Sequence, residues 1–114
     1  MKIEKFEEII AWQKAKELTF NIYRQFRCCK DFSFKDQIQR ASVSIMNNIA
    51  EGFERNTNKE LKNFLFISKG SCGEVRSMLY LAIEFNYITE NEFKKYFDLS
   101  VEISKLLSGF IKTL

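Results

Sequence analysis

The sequence predicts an all-α fold, an up-down antiparallel four-helix bundle, on three observations. Proline is absent, and only four glycines are scattered through 114 residues. Sandwiches and barrels need many turns, and turns draw on both residues. Three hydroxyl–carboxylate pairs at N-cap and N3 spacing mark helix starts: Ser33 with Asp36, Thr57 with Glu60, and Thr89 with Glu92. Apolar residues then recur three and four positions apart downstream of each pair. A chain of this length makes one domain, 1–114, able to bury roughly 65% of its unfolded surface.

The first helix is expected over about 6–27. Ala11, Ala15, Leu18, Ile22 and Phe26 share one face, with Trp12, Thr19 and Tyr23 beside them. The second spans about 34–55 and turns Ile38, Ser42, Ile45 and Ile49 inward. The third, 58–86, does the same through Leu61, Leu65, Ser68, Cys72, Val75, Leu79 and Ala82. In the fourth, 90–113, Phe93, Phe97, Ser100, Ser104, Leu107, Ile111 and Leu114 alternate four and three apart. A parallel stripe holds Tyr96, Leu99, Ile103, Leu106 and Phe110. Two adjacent stripes at this period predict packing against more than one neighbour. Short connections make successive helices antiparallel. At 1.5 Å per residue the bundle comes to ~35–40 Å long.

Composition removes several function classes. With 46% hydrophobic residues, twelve of them Phe, the chain is too apolar for a disordered tail. It contains no His. Ser-His-Asp and Cys-His nucleophile systems therefore have no base, di-iron bundles lose their Glu-x-x-His pairs, and Cys/His zinc fingers lose half their ligands. No enzyme, cofactor or metal site is expected. Cys28, Cys29 and Cys72 are an odd set, read as free thiols in a reducing compartment. The N-terminus lacks a signal-peptide pattern, and no apolar run approaches the ~20 residues of a membrane span. A cytoplasmic location is the expectation. Eighteen Lys and Arg against fifteen acids give a charge of +3, which permits nucleic-acid binding without demanding it.

Two constellations stand out. On helix two, Gln37, Arg40, Ser44, Asn47 or Asn48, Glu51 and Arg55 form a polar stripe rich in poor helix formers. That choice points to specific hydrogen bonds in a partly buried network, with Ser68, Gly70, Ser71 and Glu74 of helix three as partners. It reads as a register-fixing or subunit contact, or alternatively as a ligand site. The glycines of helix three, Gly70 and Gly73, are expected to permit close helix contact. The second constellation mixes cations with aromatics. Lys62, Phe66, Lys69, Gly73, Arg76 and Tyr80 follow one another on helix three without an acid among them. Lys16, Phe20, Tyr23 and Arg27 repeat the pattern on helix one, with Lys30 continuing it beyond the helix end. Cations engage phosphates while rings stack on bases, which suits single-stranded or irregular RNA. The competing reading is that the Lys stems lie over apolar surface at a subunit interface.

The run from Gln37 through Ile49-Ala50-Glu51-Gly52, followed by Arg55, closely resembles the signature of the bacterial four-helix-bundle proteins first known from intervening sequences in 23S ribosomal RNA genes. Trp12-Gln13-Lys14-Ala15, Phe64-Leu65, Gly70-Ser71 and Glu74 also match, so the resemblance covers nearly the whole chain. The accessory variability determinant of diversity-generating retroelements looks like a relative. The resemblance implies a ring-like homopentamer without enzymatic activity. In the retroelement branch it implies a basic nucleic-acid surface and a reverse-transcriptase partner. Its signature positions fall on Arg40, Ser44, Asn48, Glu51, Gly52, Arg55, Gly70, Ser71 and Glu74. Met46 stands where the family often has proline, so a straighter helix two is expected. The expectation is a homo-oligomer binding RNA or single-stranded nucleic acid through Lys16, Tyr23, Arg27, Lys62, Phe66, Lys69, Arg76 and Tyr80. The alternative is a protein-interaction scaffold whose stripes are subunit contacts.

Overall fold

Residues 2–114 are described by a computed structural model. Four helices follow a single 3-10 turn at Phe6–Glu8: α1 Ile10–Phe26, α2 Phe32–Glu54, α3 Asn58–Glu84 and α4 Glu90–Lys112. Each packs on its neighbour in the chain, and α4 returns to α1 to close the bundle. The body measures 43 × 22 × 19 Å, a little longer than the expected ~35–40 Å.

The helix starts differ from expectation in instructive ways. The first helix does not run unbroken from Phe6. Ile9 is extended and buried, anchoring the entry, and Gln13 Nε2 donates to the Glu7 carbonyl across the break. Helix two begins two residues early, and the Ser33–Asp36 box is not made. Asp31 takes the cap, accepting from Phe34 N–H at 3.1 Å. Its other oxygen accepts from the Tyr87 hydroxyl at 2.6 Å, so a second partner favours this cap over Ser33. Thr57 caps α3, but its box is half made, because Glu60 turns its carboxylate to Arg55 as well as to the Thr57 hydroxyl. Thr89 and Glu92 form the complete box. Asn56 and Asn86 hold the left-handed conformation just past α2 and α3. After α3 the Asn86 and Tyr87 amides return to the Ile83 and Ala82 carbonyls, capping the helix end.

The inward residues named for α1, α2 and α3 are all buried. On α4 the core face runs between the two apolar stripes, through Tyr96, Ser100, Ile103, Leu107 and Ile111. Phe93 and Phe97 instead flank the core, stacked on each other and against Tyr80 of α3. At mid-height, three side chains donate to carbonyls on a neighbouring helix. Thr19 reaches Ser42 at 3.0 Å, Ser68 reaches Ile45 at 2.7 Å, and the Cys72 thiol reaches Ser100 at 3.0 Å. No buried side-chain polar atom lacks a partner among the described residues.

Candidate nucleic-acid interface

The polar stripe of α2 divides into a joint and an open face. Ser44 Oγ and Ser71 Oγ meet at 2.9 Å, and Asn48 Nδ2 donates to the Ser44 hydroxyl and carbonyl, stapling α2 to α3. Ser, Asn and Ser are small enough to pair across a close helix contact, which explains poor helix formers at these positions. Gly52 makes that contact closer still. A Cβ there would lie 2.6 Å from Phe64 Cβ. A Cβ at Gly70 would meet nothing within 4 Å, and one at Gly73 only the far end of Arg76 at 3.6 Å. The close approach is therefore at Gly52, and not at the α3 glycines.

Glu51 is not part of a buried network. It pairs with Arg55 at 2.9 Å, with its side chain 54% exposed. Arg55 also reaches Glu60 at 3.4 Å and lies over the Phe64 ring, tying the α2–α3 turn. Its neighbouring carboxylates, Glu51 first, raise the guanidinium's pKa. Arg40 pairs with Asp36 at 2.8 Å in the open, and Glu74 is exposed. The α2 signature thus presents Arg40, Ser44, Asn48 and Glu51 along a surface groove beside Tyr23.

On α3 the basic-aromatic stripe changes character along its length. Lys62 is exposed, Phe66 is 52% exposed, and Lys69 is half-buried. Arg76 is half-buried and points a guanidinium nitrogen at Cys72 Sγ, 3.7 Å away. Burial pushes the Cys72 thiol's pKa up, and the Arg76 charge opposes this. Tyr80 leans on Phe93 and Phe97 yet remains 55% exposed.

On α1, Lys16 sits over the Trp12 ring at 5.7 Å and Arg24 over the Phe20 ring at 5.5 Å. Phe20 is 60% exposed and Tyr23 43%. Arg27 follows at the helix end, where Lys35 of α2 donates to its carbonyl at 2.8 Å. Sequence spacing finds Phe20, Tyr23 and Arg27. It misses Lys35 and Gln39, which α2 swings alongside, and Arg24, which the i, i+4 spacing from Phe20 could have flagged.

Most of the described cations form no ion pair, those of the two stripes among them. Lys14, Arg40, Arg55 and Lys94 pair with carboxylates, and all four lie outside the two stripes. Among the described residues, Lys16, Arg24, Arg27, Lys62, Lys69 and Arg76 form no ion pair. Nor do the described residues gather a set of side chains able to hold a metal ion, and the three cysteines are free. No helix is long and apolar enough to cross a membrane.

Comparison with known proteins places this geometry in context. The family model described as 23S rRNA-intervening sequence protein matches residues 7–109. A crystal structure from Bacteroides thetaiotaomicron, described as a protein with unknown function from the S23 ribosomal protein family, superposes with a TM-score of 0.84. The two chains are 27% identical, over 90% of this chain and 96% of the other. No curated protein matches.

Proposed function

The chain belongs to the 23S rRNA-intervening sequence protein family, and from that premise we propose that it is a non-enzymatic, homo-oligomeric bundle that binds RNA or single-stranded nucleic acid. The observation that carries the reading is the set of unpaired cations interleaved with exposed rings on α1 and α3. A cation already bound to a carboxylate must give it up to meet a phosphate, whereas Lys62 and Lys69 are free to do so. Exposed Phe66 and Phe20 offer faces on which unpaired bases can stack. Three free thiols support a cytoplasmic setting.

Self-association is supported by the outer face of α3. Ile67, Leu81 and Phe85 are each about half exposed, apolar side chains left facing water. The same side chains support the second reading, a scaffold that meets another protein there, such as a reverse transcriptase.

The test is binding of a fluorescent single-stranded RNA as salt is raised. Each phosphate neutralised contributes about −0.7 to the slope of log affinity against log salt. Lys62→Ala with Lys69→Ala should flatten the slope by about 1.4 for one engaged protomer. No binding by the wild type at low salt would leave the scaffold reading in its place.

A further inference from the structure

The C-terminal half of α1 and the first turns of α2 enclose an open cleft of about 390 Å³ lined by Phe20, Tyr23, Arg24, Arg27, Lys35 and Gln39. We infer that this cleft is a subsite for one unpaired nucleotide of a single strand: its base lies against Phe20 and Tyr23, its phosphate between Arg24, Arg27 and Lys35, and its base edge toward the Gln39 amide. The inference rests on the nucleic-acid reading above and assigns that reading its base-recognising element.

Four features of the cleft select this ligand. Its volume falls at the low end of small-molecule pockets, right for one nucleotide and too small for a duplex. Its lining holds three cations and no carboxylate, so an anion is favoured. Arg24 Cζ lies over the Phe20 ring at 5.5 Å, placing a guanidinium beside an exposed ring, the two kinds of group on which splayed bases stack. Gln39 supplies both a donor and an acceptor at the wall; a base edge can use both, a simple anion only the donor.

A second, more polar cleft of about 240 Å³ lies on the other side of the same two arginines, walled by Asn21, Gln25, Lys95 and Tyr96. Arg24 and Arg27 therefore form a ridge between two anion-friendly hollows, and a ligand crossing it needs repeated charges. A polynucleotide backbone has them. A polyglutamate chain has the charge but no ring to place on two exposed rings.

The test uses the full chain and a fluorescein-labelled ten-residue oligo(rU), with oligo(rA), a duplex of equal length and a polyglutamate peptide as comparisons. Phe20→Ala removes an exposed side chain and should weaken oligo(rU) binding about 5- to 150-fold with the salt slope unchanged. Arg24→Ala with Lys35→Ala should instead flatten the slope by about 1.4. Gln39→Ala should change the ratio of oligo(rU) to oligo(rA) affinity while leaving the slope alone. Phe20→Trp, read as the quenching gained over the wild-type Trp12 signal, should respond to the single strand and not to the duplex. If wild type binds RNA and loses it with Lys62→Ala and Lys69→Ala, while Phe20→Ala and Phe20→Trp do nothing, the cleft is overturned and the RNA reading stands. If wild type binds no RNA, both fall. Competition by polyglutamate as strong as by RNA, or an oligomer that dissociates on Phe20→Ala, would assign the cleft to a protein contact.

Discussion

At residue 51 a carboxylate meets Arg55 in the open, while one position on, Gly52 lies under Phe64. The two neighbours should respond very unequally to the same substitution. Glu51→Ala breaks an exposed i, i+4 pair and should shift the melting temperature by about 2 °C or less. Gly52→Ala forces a methyl into backbone-proximal contact and should cost about 1–3 kcal/mol, read as a lower urea midpoint. Had Glu51 been buried as its pattern suggested, the order would reverse. Tyr87 offers a second test at this scale. Its hydroxyl donates to Asp31, which holds the Asp31 carboxyl below its usual range and pushes the Tyr87 phenol up to about 12. The lowered Asp31 value adds stability above the ordinary carboxyl range that is lost as pH falls through it. The raised phenol adds stability below pH 10 that is lost as pH rises toward 12. The melting gap between wild type and Tyr87→Phe should therefore be widest near neutrality and shrink at both extremes. The stripe residues were legible in sequence because helical spacing alone decides which side chains share a face. Lys35 and Gln39 were not, since their place beside Phe20 depends on the register of α2 against α1.

Helix existence and inward faces could be read for α1, α2 and α3 because periodicity reports one dominant buried stripe. On α4 two stripes compete, and the burial of Tyr96, Ser100 and Ile103 is settled only by where α1 and α3 lie. Helix starts were harder. Ser33 and Asp31 are both good caps on chemistry, and the choice belongs to Tyr87, fifty-six residues away from Asp31. Asp31→Ala should consequently lower the melting temperature, and Ser33→Ala should leave it unchanged. A drop with Ser33→Ala comparable to that of Asp31→Ala would return the cap to the sequence-derived box. The stops at Asn56 and Asn86 had no glycine or proline to announce them. Asparagine tolerates the left-handed conformation well enough to end a helix.

For the whole molecule, exposed Ile67, Leu81 and Phe85 predict that native mass spectrometry at micromolar concentration will find a multiple of the chain, a pentamer by resemblance. A monomer would remove the oligomer from the proposal. The chain path has a separate consequence, in time. Because each helix lies against the one before it, and only α1 with α4 and the 3-10 turn with α2 join distant segments, most contacts close short loops. Such topologies reach the folded state on the order of microseconds to milliseconds. With no proline in the chain, no peptide-bond isomerisation adds a phase of roughly 10–100 s. Stopped-flow refolding should thus show a fast first-order step, independent of protein concentration. Any slower step should accelerate with concentration, since association is the one delayed event this architecture leaves.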